Sequence, residues 1–385
     1  MSLPRYYFDW AATAPPDAAC TDAWDTDMQT VFGNPSSLHS EGKKAREVLE
    51  EARERCARVL GLPSESVFFT SGGTESNAIV IYTQLLRQYP TAILSSTVEH
   101  PSVRENCLCL EGLGKQIGFI GVEKDGRVSS RTLEKALAKY PNAGFAAIMA
   151  VNNETGALND MEALSAHLRA QAARPVHLHC DLVQAVGKIP VDIRAWDLDS
   201  ASISAHKLGG PRGIGLLYLR KRVQTLYRGG GQEGGIRPGT ENVRGALALA
   251  RCLEKRASPA LLQGESAEAR ARWQYLIGAL KAHDRCTLIP ADRTEDDERF
   301  SPWILQAAFK GLPGEVMVRA LDEAGFAIST GSACSSASGE RPVLAAMGLS
   351  PDLSLNGIRI SQGWSTDREA IERFSEAVTG ILRRY

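Results

Sequence analysis

The sequence predicts an α/β protein in two parts, a large domain on a mostly parallel sheet and a smaller α+β domain at the C-terminal end. Three observations carry that expectation. At 385 residues the chain exceeds one ordinary domain. Through its first part, short and fully apolar stretches alternate with helical patterns or loops, as expected of strands covered on both faces. Near residue 250 the character changes to a long Ala-, Leu-, Glu- and Arg-rich segment with no strand in it.

The elements follow in chain order. Ala45, Leu49, Ala52, Cys56 and Val59 recur at helical spacing over 40–60, and Gly61 with Pro63 ends the run. VFFT at 67–70 reads as a strand, SGGTESN follows it, and 78–86 resumes a helical pattern. Further short strands are expected at 92–95, 119–120, 145–151, 176–180, 200–204 and 215–219. The segment 251–281 reads as one long helix or two. Beyond it, strand patterns at 303–309 and 357–361 alternate with helical ones at 315–324 and 368–382.

Composition narrows the function. Apolar residues are 43% and charged residues 23%, an ordinary globular balance that excludes a disordered, collagenous or coiled-coil chain. Lys plus Arg is 44 against 45 Asp plus Glu, so no basic excess points to nucleic acid and no block of like charge to a membrane surface. No window approaches the ~18 apolar residues a membrane span needs, and MSLPRYYFDW lacks the apolar run of a signal peptide. Cys20, Cys56, Cys107, Cys109, Cys180, Cys252, Cys286 and Cys334 are too scattered for a disulfide framework. A soluble, reduced, cytoplasmic protein is expected.

Ligands of open parallel sheets bind at the carboxyl ends of strands, and the loops there carry unusual polar residues. Ser71-Gly72-Gly73-Thr74-Glu75-Ser76 suits an anion at a helix start, or equally a tight turn capped by Thr74. His100 could stack on a flat ring or move protons, or be hydrogen-bonded in a crevice. Asn152-Asn153-Glu154 could bind an oxygen-rich ligand or satisfy its own loop. Asp181, with Gln184 after it, could hold a proton on a pyridine-type nitrogen, or cap a turn. His177 and His179 share one strand face, where packing is favoured over a metal because no further ligand is spaced to close a site. Lys207, at a strand end among small residues, has the desolvated amine that a Schiff base requires. Cys334 in STGSACSS is either an accessible nucleophile on a mobile loop or an incidental cysteine.

Taken together these segments resemble a known family. FDWAATAP, FGNPSSLHSEG, FTSGGTESN, EHPSV, VNNETG, HCDLVQAVGK, SAHKLGGPRGIG, GGGQEGGIRPGT, STGSACSSAS and IRIS occur in that order. The chain is similar, nearly end to end, to the NifS/IscS-type cysteine desulfurases, class-V aminotransferase relatives of PLP-dependent transferase fold type I. The resemblance implies a large PLP-binding domain over 16–250, and a small domain from 1–15 and 251–385 that carries the cysteine loop.

It also implies roles. Lys207 would form the internal aldimine with pyridoxal 5'-phosphate, Asp181 would pair with the pyridine nitrogen, and Gln184 with the phenolic oxygen. His100 would stack on the ring and transfer protons. Gly73, Thr74, Ser204 and His206 would hold the phosphate, helped by Thr240 from the partner subunit of a homodimer. Asn153 and Arg359 would position the substrate, the guanidinium gripping its carboxylate, with Asn34 contributing from the other side. L-cysteine would give L-alanine and a persulfide on Cys334, passed on to an acceptor protein such as an iron–sulfur scaffold or tRNA-thiolation protein. Neither direct nucleic-acid contact nor a membrane is implied. Two departures stand out: Gly234 occupies a position where the family commonly has arginine, although Arg237 is retained, and the chain ends soon after its last helix. Rival readings are a plain aminotransferase, a selenocysteine lyase and a non-catalytic PLP-fold protein. The thiol argues against the first, and the joint presence of lysine, aspartate, histidine and cysteine against the last.

Overall fold

A computed structural model describes residues 5–21, 29–331 and 341–384. Its central sheet has seven strands: β2 (Val67–Thr70), β3 (Ala92–Ser96), β4 (Ile117–Ile120), β5 (Ala143–Ala147), β6 (His177–Asp181), β7 (Ser200–Ser204) and β8 (Gly215–Leu219). They lie in the order β2-β8-β7-β6-β5-β3-β4. Neighbours from β7 through β4 run parallel, whereas β8 is antiparallel to both β7 and β2.

The two-residue period of the strands sorts their side chains onto two faces. Phe69, Leu94, Ala146 and Leu216 join one apolar cluster with α2 (Ser40–Val59), α5 (Ser130–Lys139), α6 (Met161–Gln171) and α7 (Val243–Arg256). Phe68, Ile93, Phe145 and Leu217 join another with α3 (Gly73–Tyr82) and α4 (Pro101–Gly112). Burial on both faces explains why these strands read as continuous apolar runs rather than alternating ones.

The segment 251–281 is two helices. α7 ends at Arg256, and Pro259 opens α8 (Pro259–Lys281), where its missing N–H costs nothing. The smaller sheet is antiparallel in the order β12 (Gly357–Ser361), β10 (Ile304–Phe309), β9 (Cys286–Ile289). Its own core gathers Trp273 and Leu276 of α8, Met317 and Leu321 of α9 (Gly314–Glu323), and Ile371 and Phe374 of α10 (Arg368–Arg384). Phe8 belongs to that core too. It follows β1 (Tyr6–Tyr7), which pairs in parallel with β11 (Phe326–Ala327). The chain then crosses to the large sheet as a strap. Ala14 N–H donates to the His206 carbonyl (3.0 Å) and Asp17 N–H to the Gly209 carbonyl (2.8 Å), just ahead of α1 (Ala18–Thr21). Among the described residues, no helix is long and apolar enough to cross a membrane.

Candidate active site

The carboxyl ends of β3, β5, β6 and β7 open into a cavity of about 640 Å³. Gly73, Thr74, His100, Asn153, Asp181, Gln184, Ser204, His206, Lys207 and Arg359 all line it. Ten residues scattered over 287 sequence positions are thus brought to one place, nine by loops and turns at strand ends of the large sheet and Arg359 by β12 of the smaller one. Asn34 and Thr240 do not line it; both are exposed, and Asn34 Oδ1 accepts from Ser36 N–H at 2.9 Å. Cys334 lies outside the described residues.

Lys207 closes the 3₁₀ turn Ala205–Lys207 that follows β7. Its Nζ donates to the Ala11 carbonyl at 2.6 Å and the Ala12 carbonyl at 2.7 Å, both on the strap. Burial brings its pKa down to about 8, with the positive charge of Arg359 adding to the effect and Asp9 and Asp181 opposing it. A usable fraction of neutral amine therefore exists near physiological pH.

Asp181 ends β6, 5% exposed. Its Oδ1 accepts from Val183 N–H (2.9 Å) and its Oδ2 from Asn77 Nδ2 (2.8 Å). Asn77 anchors a network whose proton positions follow from chemistry. Its Nδ2 also donates to Ser102 Oγ (2.8 Å), so its Oδ1 must accept from His179 Nε2 (2.9 Å). His179 Nδ1 then accepts from Ser200 Oγ (2.8 Å), which in turn accepts from His177 Nε2 (2.7 Å). Burial pushes His179 down to about 3 and His177 down to about 4, so both rings are neutral, as the network requires. The two rings stack on Phe145. The histidine pair thus props the aspartate at two removes.

His100 caps α4, its Nδ1 accepting from Ser102 N–H at 3.1 Å. That contact leaves the proton of the neutral ring on Nε2. Burial lowers its pKa, Lys207 and Arg359 push the same way, and Asp181 opposes them. His206, pushed down to about 4 chiefly by burial, meets Thr13 Oγ1 through Nδ1 at 3.1 Å.

Arg359, from the middle of β12, is 3% exposed. Nη2 donates to Asp9 Oδ1 (2.8 Å) and Nη1 to the Asn153 carbonyl (2.9 Å), while Nε is buried without a partner. Glu99 and Glu154, in the same wall, each bury an unpartnered Oε2. Burial raises both carboxyls, Glu99 to about 8.

Sequence reasoning missed Asn77, Ser102 and Glu99, and a second buried lysine. Lys188 is 6% exposed and donates to Gln184 Oε1, but it does not line the cavity. Asn77, Glu99 and Lys188 all stand inside motifs that carried the resemblance, the one signal that could have singled them out.

The residues present fit a flat ring bearing an anionic arm. Gly72 and Gly73 open α3, whose first N–H groups have no partner within the helix. A Cβ at Gly73 would stand 2.6 Å from Val183 Cγ2, so only glycine leaves that cradle open. An amine, an anchored carboxylate and a capped histidine face the same space, and orphaned polar atoms in the wall await a polar ligand.

The class-V aminotransferase profile matches residues 6–374. A cysteine desulfurase IscS of Dictyoglomus turgidum is 35% identical across 98% of this chain and 94% of its own length. A protein of Bacillus subtilis named putative cysteine desulfurase IscS 1 is 34% identical across 99% and 100%. A solved NifS-like protein superposes with a TM-score of 0.90 at 30% identity, over 99% of this chain and 100% of its own. The chain belongs to the class-V aminotransferase family, among its pyridoxal-phosphate-dependent cysteine desulfurases.

Proposed function

We propose that this enzyme converts L-cysteine and the Cys334 thiol into L-alanine and a Cys334 persulfide, which it hands to an acceptor protein. The observation that carries the reading is the desolvated Lys207 amine in one cavity with Asp181, His100 and Arg359. Pyridoxal phosphate, when bound, supplies the electron sink that acidifies the substrate Cα–H and loosens its Cβ–S bond. Lys207 would hold the cofactor, and once displaced by substrate it takes the α-proton at Nζ. Asp181, fixed by Asn77, keeps the proton on the cofactor's ring nitrogen. Gln184 offers its amide to the phenolic oxygen. The ring N–H of His100 faces the same space for stacking and proton transfer, while Gly73, Thr74, Ser204 and His206 receive the phosphate. Asn153 and Arg359 orient the substrate carboxylate. Cys334, as thiolate, attacks the substrate sulfur; the Cβ–S bond breaks and its electron pair returns to the carbon that becomes the alanine methyl group.

Thr240 stands exposed and away from its own cavity, as suits a residue that serves the other subunit's site in a homodimer. The acceptor is expected to be an iron–sulfur scaffold or a tRNA-thiolation protein. Cys20, Cys56, Cys107, Cys180 and Cys252, all buried as free thiols, suit the reducing cytoplasm. The test is alanine and sulfide production from L-cysteine, with Cys334→Ser alongside. The variant should stay yellow with bound cofactor yet form no persulfide. Undiminished sulfide release from it would sink the role of Cys334.

A further inference from the structure

We propose that Lys188 is a positioning residue for this reaction, gripping Gln184 so that an amide N–H is held ready for the cofactor. The inference rests on the reading of Gln184 as a cofactor contact.

Lys188 Nζ donates to Gln184 Oε1, and Gln184 Nε2 donates to the Ala11 carbonyl at 2.8 Å. The same carbonyl receives Lys207 Nζ at 2.6 Å. Two lysines are thereby joined through one side-chain amide and one backbone carbonyl. The chemistry fixes the amide's orientation, because a carbonyl can only accept and must therefore face Nε2. Nε2 carries two hydrogens, and Ala11 uses one. The second remains on a residue that lines the cavity.

The surroundings of Lys188 argue against a purely structural role. No carboxylate pairs with it among the described residues, and the charged groups that act on its amine are Lys207 and Arg359, both of like sign. Its own backbone is tied down, its N–H donating to the Ala185 carbonyl (3.0 Å) and its carbonyl accepting from Trp303 Nε1 (2.7 Å). A lysine buried without a counter-ion is a poor anchor for a fold, and methionine of similar length would fill its space while leaving Gln184 Oε1 without its donor. What methionine cannot supply is a donor to Oε1. That donor polarises the amide, and hydrogen bonds in series strengthen one another, so the remaining N–H becomes a better partner for an anionic oxygen. Lys188 itself does not reach the cavity, which assigns Schiff-base formation to Lys207 and leaves Lys188 to act through Gln184.

The experiment is a pH titration of the yellow chromophore in the full-length, cofactor-loaded protein. Wild type is read first; if it takes up no pyridoxal phosphate, the functional reading itself falls, and this proposal with it. Weaker donation to the cofactor's oxygen leaves that oxygen more basic. Lys188→Met should therefore move the titration upward by about half a pH unit or more, in a protein that still folds and takes up cofactor. Lys188→Arg, which keeps a donor, should restore most of the wild-type titration. In a Gln184→Leu background, Lys188→Met should add nothing. A Lys188→Met protein that takes up cofactor and titrates like wild type overturns the proposal alone, and so does a shift of undiminished size in the Gln184→Leu background. Gln184→Glu keeps the shape and the contact with Lys188 but removes the N–H. Its titration should rise at least as far, and an unmoved one counts against the proposal even if Lys188→Met does not fold.

Discussion

Arg359 reaches the cavity with most of its guanidinium engaged, by Asp9 on one nitrogen and the Asn153 carbonyl on another. On the proposed reading a substrate carboxylate would share or displace Asp9, and that exchange would set its affinity. Arg359→Ala should raise KM for cysteine by the equivalent of about 2–4 kcal/mol of lost binding; an unchanged KM in steady-state assays would remove the residue from substrate binding. Lys207 gives a second prediction. Its folded pKa of about 8 lies below the ordinary 10.5, so the unfolded chain binds the extra proton between those values. Stability from this group is therefore penalised below about pH 8 and recovered as pH rises toward 10.5. Denaturant midpoints of the cofactor-free protein should climb across that window relative to Lys207→Met, and cofactor uptake should quicken as pH passes through about 8. Lys207, Asp181 and His100 were legible because each sits where a strand gives way to a loop. Asn77 and Lys188 were not: His179 and Asp181 meet Asn77 only after β6 and α3 have packed, and Lys188, although four positions from Gln184, becomes buried only when the surrounding elements close over it. Lys188 also stands in a Gly-Lys-Ile-Pro stretch that reads as an ordinary solvated turn.

At the scale of elements, the glycine-rich stretch before α7 is held by one buried ion pair. Arg53 of α2 meets Glu233 through two hydrogen bonds of 2.7 Å, and Phe69 N–H donates to the same carboxylate at 2.7 Å. Glu233 holds a left-handed φ of +47°, a strain that this pairing sustains. A Cβ at neighbouring Gly234, with φ +58°, would stand 2.0 Å from Arg222 Nη2. An arginine at position 234 would thus have to expel Arg222, which gives the departure from the family's pattern a local physical reason. Farther along, Arg237 returns to Glu75 in the first turn of α3, beside Gly72 and Gly73. Glu233→Ala leaves Arg53 largely uncompensated and should cost about 3–5 kcal/mol in chemical denaturation; a loss under 1 kcal/mol would show that Glu50 alone satisfies the guanidinium. The strands of the large sheet were readable as apolar runs, but the reversed direction of β8 was not, because direction depends on where a loop returns. β1, β9 and β11 escaped notice as well, being two to four residues long and without strong alternation.

For the molecule as a whole, the strap from Tyr6 to Asp17 couples the two cores to the cavity. Trp10 packs edge-on against Trp364 at 4.6 Å, and a Cβ at Gly363 would stand 2.1 Å from the Trp10 ring. Gly363→Ala should displace Trp10, cost about 1–3 kcal/mol by overpacking, and loosen the neighbouring carbonyls that receive Lys207, although residue 363 lines no part of the cavity. Thermal unfolding and the cofactor release rate check this; a destabilised protein with unaltered release would separate the strap from the site. The strap has one further consequence, which concerns biosynthesis. Tyr6 and Tyr7 find their strand partners at Phe326 and Ala327, and Asp9 finds Arg359, 350 positions away. Synthesis must therefore run 350 positions past Asp9 before its Arg359 partner exists. The wall that Arg359 gives to the pocket around Lys207 is therefore among the last parts of that pocket to be made.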